Sequence, residues 1–252
     1  MKIAVITGAS SGLGKEFAKQ VYTAYPQLDE IWVLARRKEK LEELKETLGE
    51  KIRVVAMDIT KEDSQEEYLN LLKQESAEVT LLINNAGYGK LGFFEDISTK
   101  DNGGMVRLNC EALTVFTSIS LPFMPNGSEI INTCSIASFT PNTKMAVYSS
   151  TKAFVMSLSR ALRVELRPRK INVLAVCPGP MDTEFLPVAN IEKGTSRTFD
   201  IMPRVSVSGI TARSIKASKK GKAVHTDLFF YKLYRVVAKI LPKSITMLFA
   251  KT

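Results

Sequence analysis

Three side chains in the middle of the chain have the types and spacing needed for proton transfer. Tyr148 and Lys152 form a Tyr-x-x-x-Lys step in a helix-favouring stretch, and Ser135 lies thirteen residues before the tyrosine. Because positions i and i+4 share a helix face, we expect the Lys152 ammonium to lower the pKa of the Tyr148 phenol from about 10 towards neutrality. The Ser135 hydroxyl would polarise a carbonyl oxygen while Tyr148 protonates it. The set predicts carbonyl reduction, or alcohol oxidation in reverse.

Taken alone, a tyrosine and a lysine four residues apart usually form a solvated helix face, so the rest of the chain must decide. Its 252 residues, 45% hydrophobic and 24% charged, suit one globular α/β domain over residues 1–252. A strand-like Lys2–Thr7 follows Met1 directly, which leaves no room for a signal peptide and predicts a cytoplasmic protein. Cys110, Cys134 and Cys177 lie in apolar runs and are expected to be buried, reduced thiols.

A single histidine, His225, narrows the chemistry further. A Ser/His triad or a histidine-based metal site would have to rest on that one residue, so we expect neither a hydrolase nor a metalloenzyme. We also expect no nucleic-acid partner.

Short apolar runs alternate with amphipathic helical patterns along the chain. The helical periodicity is carried by Leu13, Phe17 and Val21 in one segment and by Leu44 and Leu48 in another, and Pro122 and Pro168 close two later helices. The alternation predicts a doubly wound parallel sheet buried on both faces, with ligands bound beyond the carboxyl ends of the strands. The predicted strands are Ile3–Thr7, Ile31–Ala35, Ile52–Met57, Val79–Asn84, Glu129–Cys134 and Ile171–Cys177.

The first strand runs directly into a glycine-rich loop and then a helix. The loop reads Thr7, Gly8, Ala9, Ser10, Ser11, Gly12, Leu13, Gly14. Glycines allow a tight turn and a close approach to phosphates, and a helix N-terminus offers unpaired amides and a positive dipole end. This order of strand, loop and helix predicts a dinucleotide pyrophosphate site.

The Gly-x-x-x-Gly-x-Gly spacing, together with Ser135, Tyr148 and Lys152, resembles the short-chain dehydrogenase/reductase family over nearly the whole chain. Further motifs agree in order: Asn84-Asn85-Ala86-Gly87, then Asn109, then Pro178-Gly179 with Thr183. The stretch Asn85–Gly92 and Leu241-Pro242-Lys243 are similar to a bacterial subgroup of broadly described oxidoreductases. One departure is Gly103-Gly104, which costs about 1 kcal/mol per glycine where the helix leading to Asn109 should form. We expect that helix to start late or fray.

The resemblance implies a role for each residue. Tyr148 would exchange a proton with the substrate oxygen, Lys152 would hold the nicotinamide ribose and lower the tyrosine pKa, and Ser135 would hydrogen-bond the carbonyl oxygen. Asn109, through its backbone in a kinked helix, would position a water that links Lys152 to solvent. Of the nearby serines, we expect Ser149 on the helix surface and Ser138 in a structural or pocket-lining position.

Cofactor choice depends on the end of the second predicted strand. Enzymes that favour the unphosphorylated dinucleotide place a carboxylate about twenty residues past the loop, and here Ala35 stands there, followed by Arg36 and Arg37. This favours NADP(H), with a guanidinium on the 2′-phosphate. The resemblance adds Asp58 and Ile59 as adenine contacts. The full predicted cofactor set is Gly8, Ser10, Ser11, Gly12, Leu13, Gly14, Arg36, Arg37, Asp58, Ile59, Asn85, Ala86, Gly87, Tyr148, Lys152, Pro178, Gly179 and Thr183.

Positive charge is concentrated at the end of the chain. From Asn190 onward, thirteen Lys and Arg face three acids, a balance of +10 against +9 for the whole chain. The stretch of about residues 184–204 is where family members fold a lid over substrate, and it holds Phe185, Leu186, Phe199 and Met202. The basic amphipathic segment of about residues 227–252 favours packing on the body or on a second subunit, with a membrane surface as the less favoured interpretation.

The chain is therefore predicted to be a single-domain NADP(H)-dependent oxidoreductase that interconverts a carbonyl and a secondary alcohol, on an anionic or amphiphilic small molecule. The resemblance suggests a homodimer or homotetramer. Two alternatives stay open: a non-catalytic dinucleotide sensor, and a membrane-docked lipid or steroid reductase of the same fold. An extended-type sugar epimerase or dehydratase would need another glycine spacing and a longer substrate domain.

Overall fold

Strands and helices alternate along the chain in the computed structural model, which describes residues 1–250. The strands are β1 (Lys2–Thr7), β2 (Glu30–Ala35), β3 (Ile52–Ala56), β4 (Glu78–Asn84), β5 (Glu129–Thr133), β6 (Asn172–Cys177) and β7 (Val224–Thr226). The α-helices are α1 (Gly12–Ala24), α2 (Lys38–Leu48), α3 (Glu62–Gln74), α4 (Thr99–Val106), α5 (Leu113–Ser120), α6 (Ala146–Glu165), α7 (Phe185–Val188), α8 (Arg197–Ile201), α9 (Val207–Lys219), α10 (Phe229–Ile240) and α11 (Lys243–Phe249).

The described strands form one sheet in the order β3-β2-β1-β4-β5-β6-β7, and every pair is parallel. The predicted doubly wound α/β fold is confirmed, and all six predicted strands are present with bounds shifted by a residue at most. The seventh strand, β7, was not predicted. It has three residues, pairs only with β6 and lacks an apolar run, so the sequence carries almost no strand signal there.

Both faces of the sheet are buried, which explains the continuous apolar runs. In β1, Ala4 and Ile6 pack in one core cluster while Ile3 and Val5 pack in another. Successive side chains of a strand point to opposite faces, so a strand covered by helices on both sides must be apolar throughout.

The carboxyl ends of the central strands are nearly level. Thr7 of β1 pairs with Leu34 of β2, Asn84 of β4 with Asn132 of β5, and Thr133 of β5 with Val176 of β6. The chain order reverses between β1 and β4, which is where an open α/β sheet forms a ligand crevice. The fold therefore brings the predicted motifs to one edge.

Helix ends follow the predicted proline signals. A 3₁₀ turn at Leu121–Phe123 follows α5, and another at Arg167–Arg169 follows α6. The expectation of a late or frayed helix at Gly103-Gly104 is wrong, because α4 already begins at Thr99. Ser98 caps α4 by accepting a hydrogen bond from the Asp101 amide, at 3.0 Å, and this cap starts the helix ahead of both glycines.

Candidate active site

A cleft of about 1310 Å³ opens at the carboxyl edge of the sheet. Its walls come from the loop after β1, the ends of β2 to β6, the start of α6, and the segment that contains α7 and α8. The cleft wall includes every predicted catalytic and cofactor residue except Gly14 and Asn109. Residues separated by more than a hundred positions in sequence thus share one concave site.

Gly14 lies behind the cleft wall, where it lets the loop fold back on itself. A side chain there would meet the Gly8 carbonyl oxygen at 2.2 Å. Gly8 has a φ of +68°, and a side chain on it would lie 2.7 Å from the Ala86 Cα. The two glycines are therefore required by close backbone packing between the loop and the segment that follows β4.

Thr7 and Asn85 brace this loop. The Thr7 hydroxyl accepts from the Asn85 and Ala86 amides at 3.0 and 3.1 Å, and the Asn85 side chain donates to the Gly8 carbonyl at 3.2 Å. The sequence predicts Asn85 as a cofactor residue, whereas the bracing role of Thr7 was not predicted. The only available signal was a hydroxyl at the last position of β1.

The N-terminus of α1 points into the cleft as an anion site. The helix starts at Gly12, and its N-cap residue, Ser11, makes no side-chain capping bond. Ser10, Ser11 and Gly12 all line the cleft. Uncapped amides at the positive end of a helix are suited to phosphate.

Arg36 and Arg37 follow β2 at the cleft rim, and their surroundings differ. Arg37 forms an ion pair with Glu184 at 2.8 Å and donates to the Ser10 hydroxyl at 3.1 Å. Arg36 has no ion pair within residues 1–250, and its charge helps to lower the pKa of Asp58. Burial opposes this lowering of the Asp58 pKa, but it is outweighed by the hydrogen bonds from Thr60 together with the charges of Arg36 and Lys61. Arg36 is thus the less engaged guanidinium.

Tyr148, Ser135 and Lys152 meet at the inner end of the cleft. Ser135 lies two residues after β5 and caps a 3₁₀ turn by accepting from the Ala137 amide at 3.1 Å. The Lys152 Nζ lies 5.7 Å from the centroid of the Tyr148 ring. All three side chains are buried. The predicted cluster of hydroxyl, phenol and ammonium is thus assembled, on one strand end and one helix.

The charge state of this cluster differs from the sequence expectation. Burial raises the pKa of Tyr148, and a hydrogen bond with Ser135 offsets only part of that rise. The Lys152 ammonium donates to the Thr133 carbonyl at 2.9 Å rather than to the phenol, and burial lowers the pKa of Lys152 itself. The pKa of Tyr148 is therefore raised by burial in this arrangement rather than lowered by Lys152, contrary to the prediction.

Asn109 lies in a π-helical segment, Arg107–Ala112, that joins α4 to α5. This segment matches the predicted kinked helix, since π turns insert an extra residue per turn. Its side chain is buried, accepts from the Tyr88 amide at 3.1 Å, and donates to the Tyr88 carbonyl at 2.9 Å and the Thr151 hydroxyl at 3.0 Å. Asn109 therefore ties the loop after β4 to α6, close to Lys152.

The segment with α7 and α8 covers Tyr148. The Phe185 ring lies 5.5 Å from the Tyr148 ring, tilted by 52°. Gly89 permits this contact, because a side chain there would lie 2.9 Å from Tyr148 and 3.0 Å from Phe185. The four apolar residues predicted to belong to the lid all line the cleft: Phe185, Leu186, Phe199 and Met202. The same four residues also pack on the core clusters, so they both form the cleft wall and contribute to the core.

The C-terminal helices close one side of the cleft. Phe230 and Tyr234 of α10 line it, as does Ala250. Tyr231 is buried against Gly179, and any side chain at position 179 would lie 2.4 Å from the Tyr231 ring. The Tyr231 hydroxyl donates to the Pro203 carbonyl at 2.7 Å. This anchor was not predicted from the sequence.

The cysteines and the nearby serines follow the predictions in part. Cys134 and Cys177 are buried and free, whereas Cys110 is only half-buried. Ser149 is buried, contrary to the expected surface position, and it accepts from the Asn142 amide at 3.3 Å. Ser138 donates to the Ser135 carbonyl at 2.7 Å, which makes it a brace for that residue.

The cleft and its side chains are those of a dinucleotide-binding oxidoreductase fold, and sequence comparison agrees. The profile of the short chain dehydrogenase family matches residues 2–193. The chain therefore belongs to the short-chain dehydrogenase family. A serine 3-dehydrogenase of Agrobacterium fabrum is 34% identical over 187 residues, covering 72% of this chain and 72% of that protein.

Two solved structures are similar over most of the chain. The closed form of a serine dehydrogenase complexed with NADP+ has a TM-score of 0.78 and 26% identity, and covers 88% of this chain and 94% of that one. A 3-ketoacyl-(acyl-carrier-protein) reductase from Brucella melitensis complexed with NADH has a TM-score of 0.78 and 26% identity, and covers 90% and 96%.

Proposed function

We propose that this protein is an NADP(H)-dependent oxidoreductase that interconverts a carbonyl and a secondary alcohol, with Tyr148 as the general acid and base. The observation that carries the proposal is one cleft shared by Ser135, Tyr148 and Lys152 on one side and by the loop from Gly8 to Gly14 on the other. A protein that only bound a nucleotide would not need the cluster of Ser135, Tyr148 and Lys152. A protein that only buried a tyrosine would not need the glycine loop.

The residues present fit a dinucleotide. Uncapped amides at the start of α1 suit the pyrophosphate, and the positive φ values of Gly8 and Gly12 keep the loop open to close approach. Asp58 and Ile59, the predicted adenine contacts, line the cleft next to β3. Pro178, Gly179 and Thr183 line its far side.

The choice of NADP(H) rests on Arg36. It lines the cleft, it is exposed, and no carboxylate occupies the preceding position, Ala35. A 2′-phosphate would gain a charge-assisted hydrogen bond there. The two solved relatives support either cofactor, because one is complexed with NADP+ and the other with NADH. The arginine is therefore the deciding feature.

In the reduction direction, Tyr148 donates its phenolic proton to the carbonyl oxygen as the carbon is reduced, and Ser135 donates a hydrogen bond to the same oxygen. When bound, the nicotinamide supplies the hydride. Burial keeps Tyr148 protonated, which suits an acid. Phe185 above the ring limits the access of water to the proton-transfer step.

Lys152 and Asn109 support this step. Lys152, whose ammonium donates to the Thr133 carbonyl, would also hold the ribose hydroxyls of the cofactor. Asn109 holds the Tyr88 backbone against α6 and so fixes the distance between the loop after β4 and Tyr148. Its role is positioning.

The test is a panel of carbonyl compounds and alcohols followed by absorbance of the reduced cofactor. The panel includes steroids, acyl ketones, sugars and 3-hydroxy acids such as serine, since one relative is a serine 3-dehydrogenase. The expected result is turnover with at least one class that Tyr148→Phe abolishes. Tight cofactor binding with no turnover of any class would instead identify a dinucleotide sensor.

A further inference from the structure

The outer face of α10 is apolar and exposed, which the expected packing on the body does not explain. Phe229, Leu233, Val236 and Ile240 recur at helical spacing on one stripe, with Phe229 79% and Ile240 73% exposed. Helix α11, which begins two residues after Leu241, adds two more exposed apolar side chains, Ile245 and Leu248. We refer to these residues as the outer stripe.

A second, separate stripe fastens α10 to the body. Tyr231 and Ala238 are buried, and Tyr234 packs against Phe139 with ring centroids 5.8 Å apart. These positions lie on the opposite side of the helix from the outer stripe. The helix thus has two apolar faces, and only one of them is used within residues 1–250. Of the predicted packing on the body or on a second subunit, residues 1–250 show packing on the body, and only by the inner face.

Cations border one edge of the outer stripe. Lys232, Arg235 and Lys239 lie on the helix side between the two apolar faces, are exposed, and have no ion pair in the described part of the chain. From Phe229 to the end of the sequence there is no Asp or Glu. An apolar stripe bordered by lysine and arginine is the pattern of a helix that lies in the plane of an anionic membrane surface.

The charge argues against a second copy as the occupant. A two-fold contact through the outer stripe would bring the same three cations of each copy together, with no acid on α10 or α11 to pair with them. An anionic lipid surface meets the stripe and the cations at once. Within residues 1–250, no helix is long and apolar enough to cross a bilayer, so the contact would be with the surface.

We propose that the outer stripe of α10 and α11 docks this protein on an anionic membrane surface, with Phe229, Leu233, Val236 and Ile240 inserted among the lipids and Lys232, Arg235 and Lys239 held against the headgroups. Docking places the cleft beside the membrane, because Phe230 and Tyr234 of the same helix line it. An amphiphilic carbonyl compound could then enter from the lipid; this consequence rests on the proposed function, whereas docking does not.

The test is sedimentation of the full chain with phosphatidylcholine vesicles, with and without phosphatidylglycerol. The protein should pellet with the anionic vesicles, and weakly with the neutral ones. Raising salt from about 0.1 M to about 1 M shortens the Debye length from about 10 Å to about 3 Å and should release it. These measurements require no turnover, so their outcome is independent of the enzymatic proposal.

Matched variants separate the two contributions. The triple variant Lys232→Gln, Arg235→Gln, Lys239→Gln should bind on the order of a hundredfold less, at about fivefold per cation. Lys19→Gln, Lys38→Gln, Lys73→Gln removes the same charge from other exposed positions and should retain binding. The double variant Leu233→Ser, Ile240→Ser should bind about tenfold less or weaker still. The control Phe94→Ser, Val164→Ser changes two other exposed apolar residues and should retain binding.

Two results would overturn the proposal. One is equal pelleting with neutral and anionic vesicles, or with neither. The other is a concentration-dependent dimer in sedimentation velocity that Leu233→Ser with Ile240→Ser dissociates, which would assign the outer stripe to a second copy. Intact NADPH binding and circular dichroism in each variant establish that loss of docking is not loss of folding.

Discussion

The two arginines after β2 should contribute unequally to cofactor binding, although they are neighbours in sequence. Arg36 has no ion pair in the described chain, whereas Arg37 is 2.8 Å from Glu184, in a pair whose side chains are 46% and 54% exposed. A 2′-phosphate that recruits Arg36 displaces only water. One that recruits Arg37 must also compete with a carboxylate.

The magnitudes follow from these surroundings. A hydrogen bond between charged groups contributes about 1.5–3 kcal/mol, so Arg36→Ala should weaken NADPH binding by roughly tenfold to 160-fold. An exposed ion pair contributes about 0.2–1 kcal/mol, so Glu184→Gln should free Arg37 and tighten NADPH binding by about 1.4-fold to fivefold. Arg37→Ala should cost less than Arg36→Ala. None of the three changes should affect NADH by a comparable factor.

Fluorescence titration of the two reduced cofactors measures these dissociation constants directly. Lys38→Ala is the matched control, because it removes the next positive charge along the chain without touching the cleft wall. Equal binding of NADPH and NADH by the unmodified protein, or equal weakening of both by Arg36→Ala, would contradict the assignment of Arg36 to the 2′-phosphate. Weaker NADPH binding in Glu184→Gln would show that the carboxylate supports the site rather than competes with it.

Three further outcomes are expected. Tyr148→Phe should lower turnover by about a hundredfold to ten-thousandfold with cofactor affinity retained, and Lys152→Met should lower both, as kinetics and titration will show. Because burial raises the pKa of Tyr148, we expect the phenol to stay protonated through neutral pH. The kcat/KM for reduction should therefore be flat with pH near neutrality. The kcat/KM for oxidation needs the ionised phenol and should rise about tenfold per pH unit from about pH 7 to about pH 9. In thermal unfolding, Gly103→Ala should stabilise α4 by about 1 kcal/mol, because its added methyl group meets nothing within 4 Å. The Gly104→Ala variant should be less stable than the Gly103→Ala variant, because a side chain at position 104 would lie 2.3 Å from the Tyr88 hydroxyl, which donates to the Asp101 carbonyl.

Each of these expectations has a contrary result. An active Tyr148→Phe enzyme would remove that residue from the chemistry, and loss of turnover alone in Lys152→Met would remove its ribose contact. An oxidation rate that is flat with pH would mean that the phenol is already ionised. Equal unfolding temperatures for the two alanine variants would mean that Tyr88 moves aside without cost.

Much of the architecture was predictable from the local sequence pattern. The six predicted strands are mostly apolar because the sheet is buried on both faces, and that signal lies within each strand. The glycine loop was equally readable, since backbone geometry at Gly8 and Gly14 tolerates no side chain. Tyr148 and Lys152 were predictable as a pair because helical spacing alone sets them on one face.

Other features depend on residues that only the folded chain brings together. The raised pKa of Tyr148 comes from burial, to which Phe185, distant in sequence, contributes. The pairing of Arg37 with Glu184 likewise joins the end of β2 to the segment before α7. Sequence patterns report periodicity along the chain, whereas burial and ion pairing are set by neighbours in space.

The C-terminal segment shows the same division. Its charge and amphipathic spacing were evident from the sequence, but a helix with an apolar face is expected to bury that face, and α10 has two. Tyr231 and Ala238 pack on the body while Phe229 and Ile240 stay exposed. Sequence therefore determined that this helix is amphipathic and basic. Only the tertiary structure decided which apolar stripe is used internally, because one side of a helix can contact the body while the other side faces outward.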